Sequence, residues 1–223
     1  MQVTMPTPTH LHTSRRERRS AENRERLFRA ALQKFAQKGY AETTVEDITE
    51  AADLGKGTFF NYFPSKEHIL MAFGEMQIGK LEAFVAGVQG SEQPMPEILH
   101  TLVARMTEEP IRNPEIVRAL IQANLTSAAV RGEMARLHEK NRKLLARLIR
   151  HGQQRGEVRT DLAPEEIAQA WRQMIFGTLL FWSLAGDDSL PQRMESSVGV
   201  LWNGIAARAR EGAPNADSRK VLS

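Results

Sequence analysis

Lys56, Gly57 and Thr58 stand side by side, with Phe60, Asn61 and Tyr62 close behind. A lysine offers a point charge to a phosphate, and a glycine lets a ligand approach the backbone closely. Hydroxyls and an amide can bond phosphate oxygens or base edges. The same run, Gly55-Lys56-Gly57-Thr58, superficially resembles a nucleotide-phosphate loop. The Walker pattern, however, needs a glycine five residues before the Gly-Lys glycine, where Glu50 stands. It also needs a hydroxyl straight after the lysine, where Gly57 stands, and a strand before the loop. The six histidines, His10, His12, His68, His100, His138 and His151, show no HExxH or comparable ligand spacing, and there is no GxSxG. The chain has no cysteine, which removes disulfides, thiolate metal sites and cysteine nucleophiles and fits a cytoplasmic compartment. No enzyme activity, cofactor or metal is expected.

The elements that must present these residues are helices. Leu27, Ala31 and Phe35 recur every four residues, with Phe28 and Leu32 beside them, so a first helix is expected from about Ser20 to Lys38, stopped by Gly39. A short second helix follows. Thr43 and Thr44 are both candidate N-caps, and Thr43 with Glu46 has the capping-box spacing. Val45, Ile48 and Ala52 form its buried stripe, Asp53-Leu54-Gly55 a tight turn, and Lys56 to Phe63 a third short helix ended by Pro64. Helix, glycine-containing turn and helix from Thr44 to Phe63 have helix-turn-helix form. Phe59 and Phe63, four apart, face inward, which leaves Lys56, Gly57, Thr58, Phe60, Asn61 and Tyr62 at or near the outer face. Such a second helix enters a DNA major groove.

Charge is distributed to match. The formal net charge is +3, but Ser14 to Lys38 carries nine Lys and Arg against three Glu, while Gly39 to Gly55 carries five acids and no base. A concentrated basic patch is the footprint of a polyanion partner. Phosphate would repel the acids of the second helix, so they are expected to point away from the DNA. Beyond Lys66 the periodicity predicts helices over Ser65–Val88, Met95–Glu109, Pro114–Leu125, Arg131–Gly152, Pro164–Ala185 and Pro191–Arg210, with almost no sheet. No signal peptide or membrane span is expected, since Met174 to Gly186, the most apolar run, is short and broken. The expected organisation is a flexible basic arm over residues 1–19, a head over 20–66, a larger helical body over 67–210 and a polar tail over 211–223.

The stretch Leu27 to Leu70 resembles the DNA-binding domain of the tetracycline-repressor (TetR) family. The matching pieces are Ala30-Ala31, Phe35, Gly39-Tyr40, Thr43-Thr44-Val45, Ile48, Ala51-Ala52, Gly57-Thr58, Tyr62-Phe63 and Ser65-Lys66-Glu67, with unbroken spacing between them. The resemblance implies an all-α fold, a three-helix head on a ligand-binding and dimerisation body. It also implies a dimer that binds palindromic operator DNA and is released by a small molecule. Carried over residue by residue, it implies that Thr43 and Thr44 hold a phosphate, that Lys56, Gly57 and Thr58 approach the major groove, and that Tyr62 and Lys66 grip the backbone. Phe60 and Asn61 stand where the family often has tyrosine and histidine, which alters the base preference rather than the binding. Asp53-Leu54 replaces a common glycine and β-branched residue, and the turn is expected to survive.

In that family the last two helices pair with those of a second copy, which implies an interface at Gly177, Phe181, Val198, Gly199, Trp202 and Ile205. Both helices are apolar on more than one face, as burial against a core and a partner together requires. Large, adaptable side chains suit an apolar effector cavity: Phe73, Met76, Met106, Trp171, Met174, Ile175 and Phe181, with His100, Arg105, Gln122 and Asn124 as polar members. The helix starting at Ser65 would serve as the lever. Alternatives are an activator, a regulator modulated by a protein, and, more remotely, a helical protein that binds a membrane surface or a partner.

Overall fold

The computed structural model describes residues 14–185 and 189–207. Among these residues it has nine α-helices and no strand, as the periodicity predicts. They are α1 (Arg15–Lys38), α2 (Val45–Ala51), α3 (Lys56–Tyr62), α4 (Glu67–Gly87), α5 (Met95–Arg112), α6 (Pro114–Thr126), α7 (Ala128–Gln154), α8 (Pro164–Ala185) and α9 (Leu190–Ile205). No described helix is long and apolar enough to cross a membrane. The chain divides between Ile69 and Leu70, inside the first turn of α4, into a head and a body.

In the head, α1 starts earlier than the apolar period indicates. Ser14 caps it: its Oγ accepts from the Glu17 N–H at 3.1 Å, and its own N–H donates to Glu17 Oε2 at 2.8 Å. Arg15, Arg16, Arg18 and Arg19 are therefore exposed helix residues rather than part of a loose arm, because a polar capping box starts the helix before any apolar residue reports it. Residues 1–13 of the expected arm lie outside the described residues. Leu27, Phe28, Ala31, Leu32 and Phe35 bury the inner face of α1, which packs on α2 and α3, where Ile48 and Phe59 are buried in turn. The turn after α2 survives without glycine at its critical position. Asp53 takes φ 49°, a left-handed conformation that Asp tolerates better than most residues. The Arg26 guanidinium donates to the Ala52 carbonyl at 2.6 Å and so ties α1 to this turn.

In the body, α7 packs on α6 and α8, and α9 packs on α5 and α8. Met95, Ile98, Leu99, Leu148, Ile149 and Trp171 are fully buried. Two boundaries depart from expectation. Ser127 caps α7, so the helix begins at Ala128 rather than Arg131. Pro110 does not end α5, which continues to Arg112. Proline removes one intrahelical bond and frees the Met106 carbonyl. The Gln77 amide of α4 approaches that carbonyl at 3.5 Å. At the end of α9, the Arg159 N–H donates to the Ile205 carbonyl at 2.8 Å and the Ala207 N–H to the Glu157 carbonyl at 2.8 Å. These bonds fasten the segment after α7 to the end of α9. Residues 208–210, expected as helix, and the tail over 211–223 lie outside the described residues.

Candidate nucleic-acid interface and effector cavity

The head presents α3 as a two-faced helix of seven residues. Phe59 and Phe63 are buried with ring centroids 5.8 Å apart, and the Arg24 guanidinium lies 5.2 Å from the Phe63 ring. That anchoring leaves Lys56, Gly57, Phe60 and Asn61 exposed and Thr58 and Tyr62 half-buried. A Cβ built on Gly57 would meet no protein atom, so a ligand can reach the backbone there. The expectation that the acids of α2 turn away is corrected at Glu46, whose carboxylate pairs with the Lys56 ammonium. Without nucleic acid the lysine neutralises the nearest acid, and phosphate would compete for the same charge.

The start of α2 corrects the role of Thr43. The cap is Thr44, whose Oγ accepts from the Asp47 N–H at 3.1 Å, while the Thr44 N–H donates to Asp47 Oδ2 at 2.7 Å. The capping box therefore sits one residue later than Thr43–Glu46. Thr43 is fully buried and its hydroxyl donates to the Gly39 carbonyl at 2.7 Å, so it closes the loop after α1 instead of meeting a phosphate. Asp47 also accepts from Lys38 at 2.5 Å. Hydrogen bonds from Lys38 and Thr44 hold its carboxyl well below the usual carboxylate range.

Lys66 is corrected too. Its ammonium donates to the carbonyls of Tyr40 at 2.9 Å, Ala41 at 3.3 Å and Thr43 at 2.6 Å, and it lies 4.7 Å from the Tyr40 ring centroid. A group with three carbonyl acceptors and an aromatic face is a clamp on the α1–α2 loop rather than a free phosphate contact. Burial lowers the Lys66 pKa, and burial raises the Tyr40 phenol to about 12.

The body contains a mostly apolar cavity of about 180 Å³. Of the residues predicted to line it, Met106, Trp171 and Ile175 do so; the others are elsewhere. Phe73 is buried apart from it, Met76 and Asn124 are half-buried, and Gln122 is exposed. His100 is exposed beside Glu195, 3.5 Å away, and Arg105 lies 5.4 Å from the Phe84 ring. Met174 and Phe181 line a shallow groove between α8 and α9. Sequence reasoning missed His138, Asn141 and Arg172, which do line the cavity. A signal was available: His138 and Asn141 lie one turn apart on α7, among the buried Met134, Leu137, Leu144 and Leu145. Burial, and secondarily the charge of Arg172, lower the His138 pKa, which favours the neutral ring.

The outer face of α8 and α9 exposes Phe181 (67%), Leu184 (74%) and Val200 (69%). Gly177 and Gly199 have open space above them, and Trp202 is half-buried. Val198 and Ile205, expected at a subunit interface, are buried within the body's own core. On a helix that is apolar on two faces, these two lie on the inner one.

Residues 27–73 match the family described as bacterial regulatory proteins, tetR family. The HTH-type transcriptional repressor DhaR of Mycobacterium sp. (strain GP1) is 30% identical over 154 residues, covering 65% of this chain and 74% of that protein. The HTH-type transcriptional repressor KstR of Rhodococcus jostii is 25% identical over 190 residues, covering 81% of this chain and 82% of KstR. Among solved structures, Thermus thermophilus FadR, a TetR-family transcriptional repressor in complex with lauroyl-CoA, superposes with a TM-score of 0.64 at 26% identity. It covers 86% of this chain and 100% of its own.

Proposed function

From the premise that the chain belongs to the TetR family of bacterial regulatory proteins, we propose that it is a dimeric repressor whose hold on a palindromic operator is released by a small, mostly apolar effector. One observation carries the reading. The exposed face of α3 offers Lys56, Gly57, Phe60 and Asn61 on a helix locked from behind by Phe59 and Phe63. In this reading Thr44, Thr58 and Tyr62 flank the contact. Lys56 exchanges Glu46 for DNA, and Phe60 meets a thymine methyl or stacks. The α8–α9 face joins two copies and sets two recognition helices about 34–36 Å apart, one helical turn of DNA. A reader of operator DNA works in the cytoplasm, at the nucleoid.

The effector acts by population shift. It favours a state in which the two heads no longer match adjacent grooves, and by linkage DNA weakens effector binding by the same factor. Met106, Trp171 and Ile175 of the body cavity support an apolar site, and the lauroyl-CoA complex of the FadR relative supports a body that takes a ligand.

The testing experiment is selection of bound sites from a random duplex library at fixed salt, because affinity depends steeply on ionic strength. A reproducible palindrome is expected; folded protein with no enrichment would overturn the proposal. Within the selected site, Asn61→Ala should relax preference at a defined position. Lys56→Ala should cost about 1–3 kcal/mol of operator affinity, because it also leaves Glu46 facing phosphate uncompensated. The double variant Lys56→Ala/Glu46→Ala should then recover part of that loss in a fluorescence-anisotropy titration. No recovery would separate Glu46 from the DNA face.

A further inference from the structure

The polar atoms of the body cavity say more about its occupant than its apolar walls do. Arg172 Nε and Asn141 Oδ1 are buried and have no hydrogen-bond partner among the described residues. Among the described residues the Arg172 guanidinium donates from Nη2 to Gln169 Oε1 at 3.0 Å. No Asp or Glu is among the described residues that line the cavity. Buried polar groups are normally paired, and a buried guanidinium N–H left without an acceptor costs more than a neutral group would. His138 lies beside Arg172 and edge-on to Phe176, with ring centroids 6.3 Å apart. The side chains of Arg172, Asn141 and His138, all in the cavity wall, thus bring a cationic donor and a neutral acceptor still without partners and an imidazole able to serve as either.

Resting on the regulator reading above, we propose that the effector is a compact, largely apolar monocarboxylic acid bearing one hydroxyl donor, its carboxylate on Arg172 and its hydroxyl on Asn141. The carboxylate supplies the acceptor that the guanidinium lacks, in a charge-assisted bond strengthened by the surrounding apolar walls. The hydroxyl supplies the donor that Asn141 Oδ1 lacks. Volume sets the size. A cavity of about 150 Å³ accommodates benzene, so about 180 Å³ accommodates one ring with small substituents or a short chain.

The probes are the three hydroxybenzoates, 4-hydroxyphenylacetate and 8-hydroxyoctanoate, titrated by calorimetry into the full chain. 4-Hydroxybenzamide and benzoate are the controls lacking the charge and the hydroxyl. At least one hydroxy acid should bind saturably. For a ring acid that binds, the neutral amide should be about ten- to a hundredfold weaker, the range expected for one lost bond to a charged group. Arg172→Met should lose the same factor while keeping operator affinity. Asn141→Leu should reduce the hydroxy acid to the level of benzoate. No binding by any acid, an amide as tight as the acid, or an Arg172→Met variant with undiminished affinity would each overturn the assignment. The amide comparison uses the unaltered protein and stands even if a variant fails to fold. A protein that selects an operator but binds none of the acids refutes the effector class alone; failure of operator selection refutes the regulator reading, whatever calorimetry shows.

Discussion

Replacing Lys66 by methionine is expected to destabilise the head by about 2–3 kcal/mol, the cost of removing a charged donor from acceptors that keep their desolvation. The ammonium joins the start of α4 to three carbonyls of the loop between α1 and α2. Methionine keeps the length and the apolar stem but answers none of the three. The loop leads into Thr44, the residue that starts α2, so its loss displaces α2 and α3 together. Operator affinity should fall by about tenfold or more and similarly across DNA sequences. The distinguishing measurement is the salt dependence of binding. A lysine on a phosphate contributes about one unit to the slope of log K against log salt. Because Lys66 is committed to protein carbonyls, the slope should stay unchanged while hydrogen exchange in the head accelerates. A slope reduced by one with undiminished head stability would return Lys66 to the DNA backbone.

That contrast shows where sequence stops being informative. The lysine and its acceptors are separated by more than twenty positions, and nothing in residue type tells a clamp from a phosphate ligand. Thr43 and Thr44 pose the same problem at short range. Both carry a hydroxyl, both precede a helix, and each has an acid three residues on. The extended backbone at Thr44 (φ −96°, ψ 164°) decides the cap and sends Thr43 inward to Gly39. Periodicity, in contrast, is a local property. It found the helices of head and body, and it found the inner faces of α1 and α3, because Leu27, Phe35, Phe59 and Phe63 bury along single stripes. Starts written in polar residues escaped it, at Ser14 and Ser127. The cavity was the least legible part. Its polar group combines two positions of α7 with one of α8, and only packing between those helices brings them together. Volume ranking favoured Phe73 and Met174, which are large but lie elsewhere.

The α8–α9 face yields the larger predicted effect, and it separates two kinds of apolar residue that look alike in sequence. Leu184→Glu and Phe181→Glu place charge on side chains that are already mostly solvated in the single chain. Each should leave the helical circular-dichroism signal and the urea midpoint of the subunit nearly unchanged. Val198→Asp and Ile205→Asp place an unpaired carboxylate in the body core, where uncompensated burial costs several kcal/mol. Those variants should unfold or precipitate and report nothing about assembly. In a two-fold interface each substitution occurs twice, so a single glutamate brings like charges together and leaves both without partners. Sedimentation velocity should therefore give folded monomers for the Leu184 and Phe181 variants. The effect on DNA follows from tethering. A second head held by its partner meets its half-site at an effective concentration in the millimolar range, which raises avidity by about a hundred- to ten-thousandfold. Monomers should lose that factor on a palindrome and none on a single half-site. Dimers persisting in both glutamate variants would place the subunit interface on another face of the body.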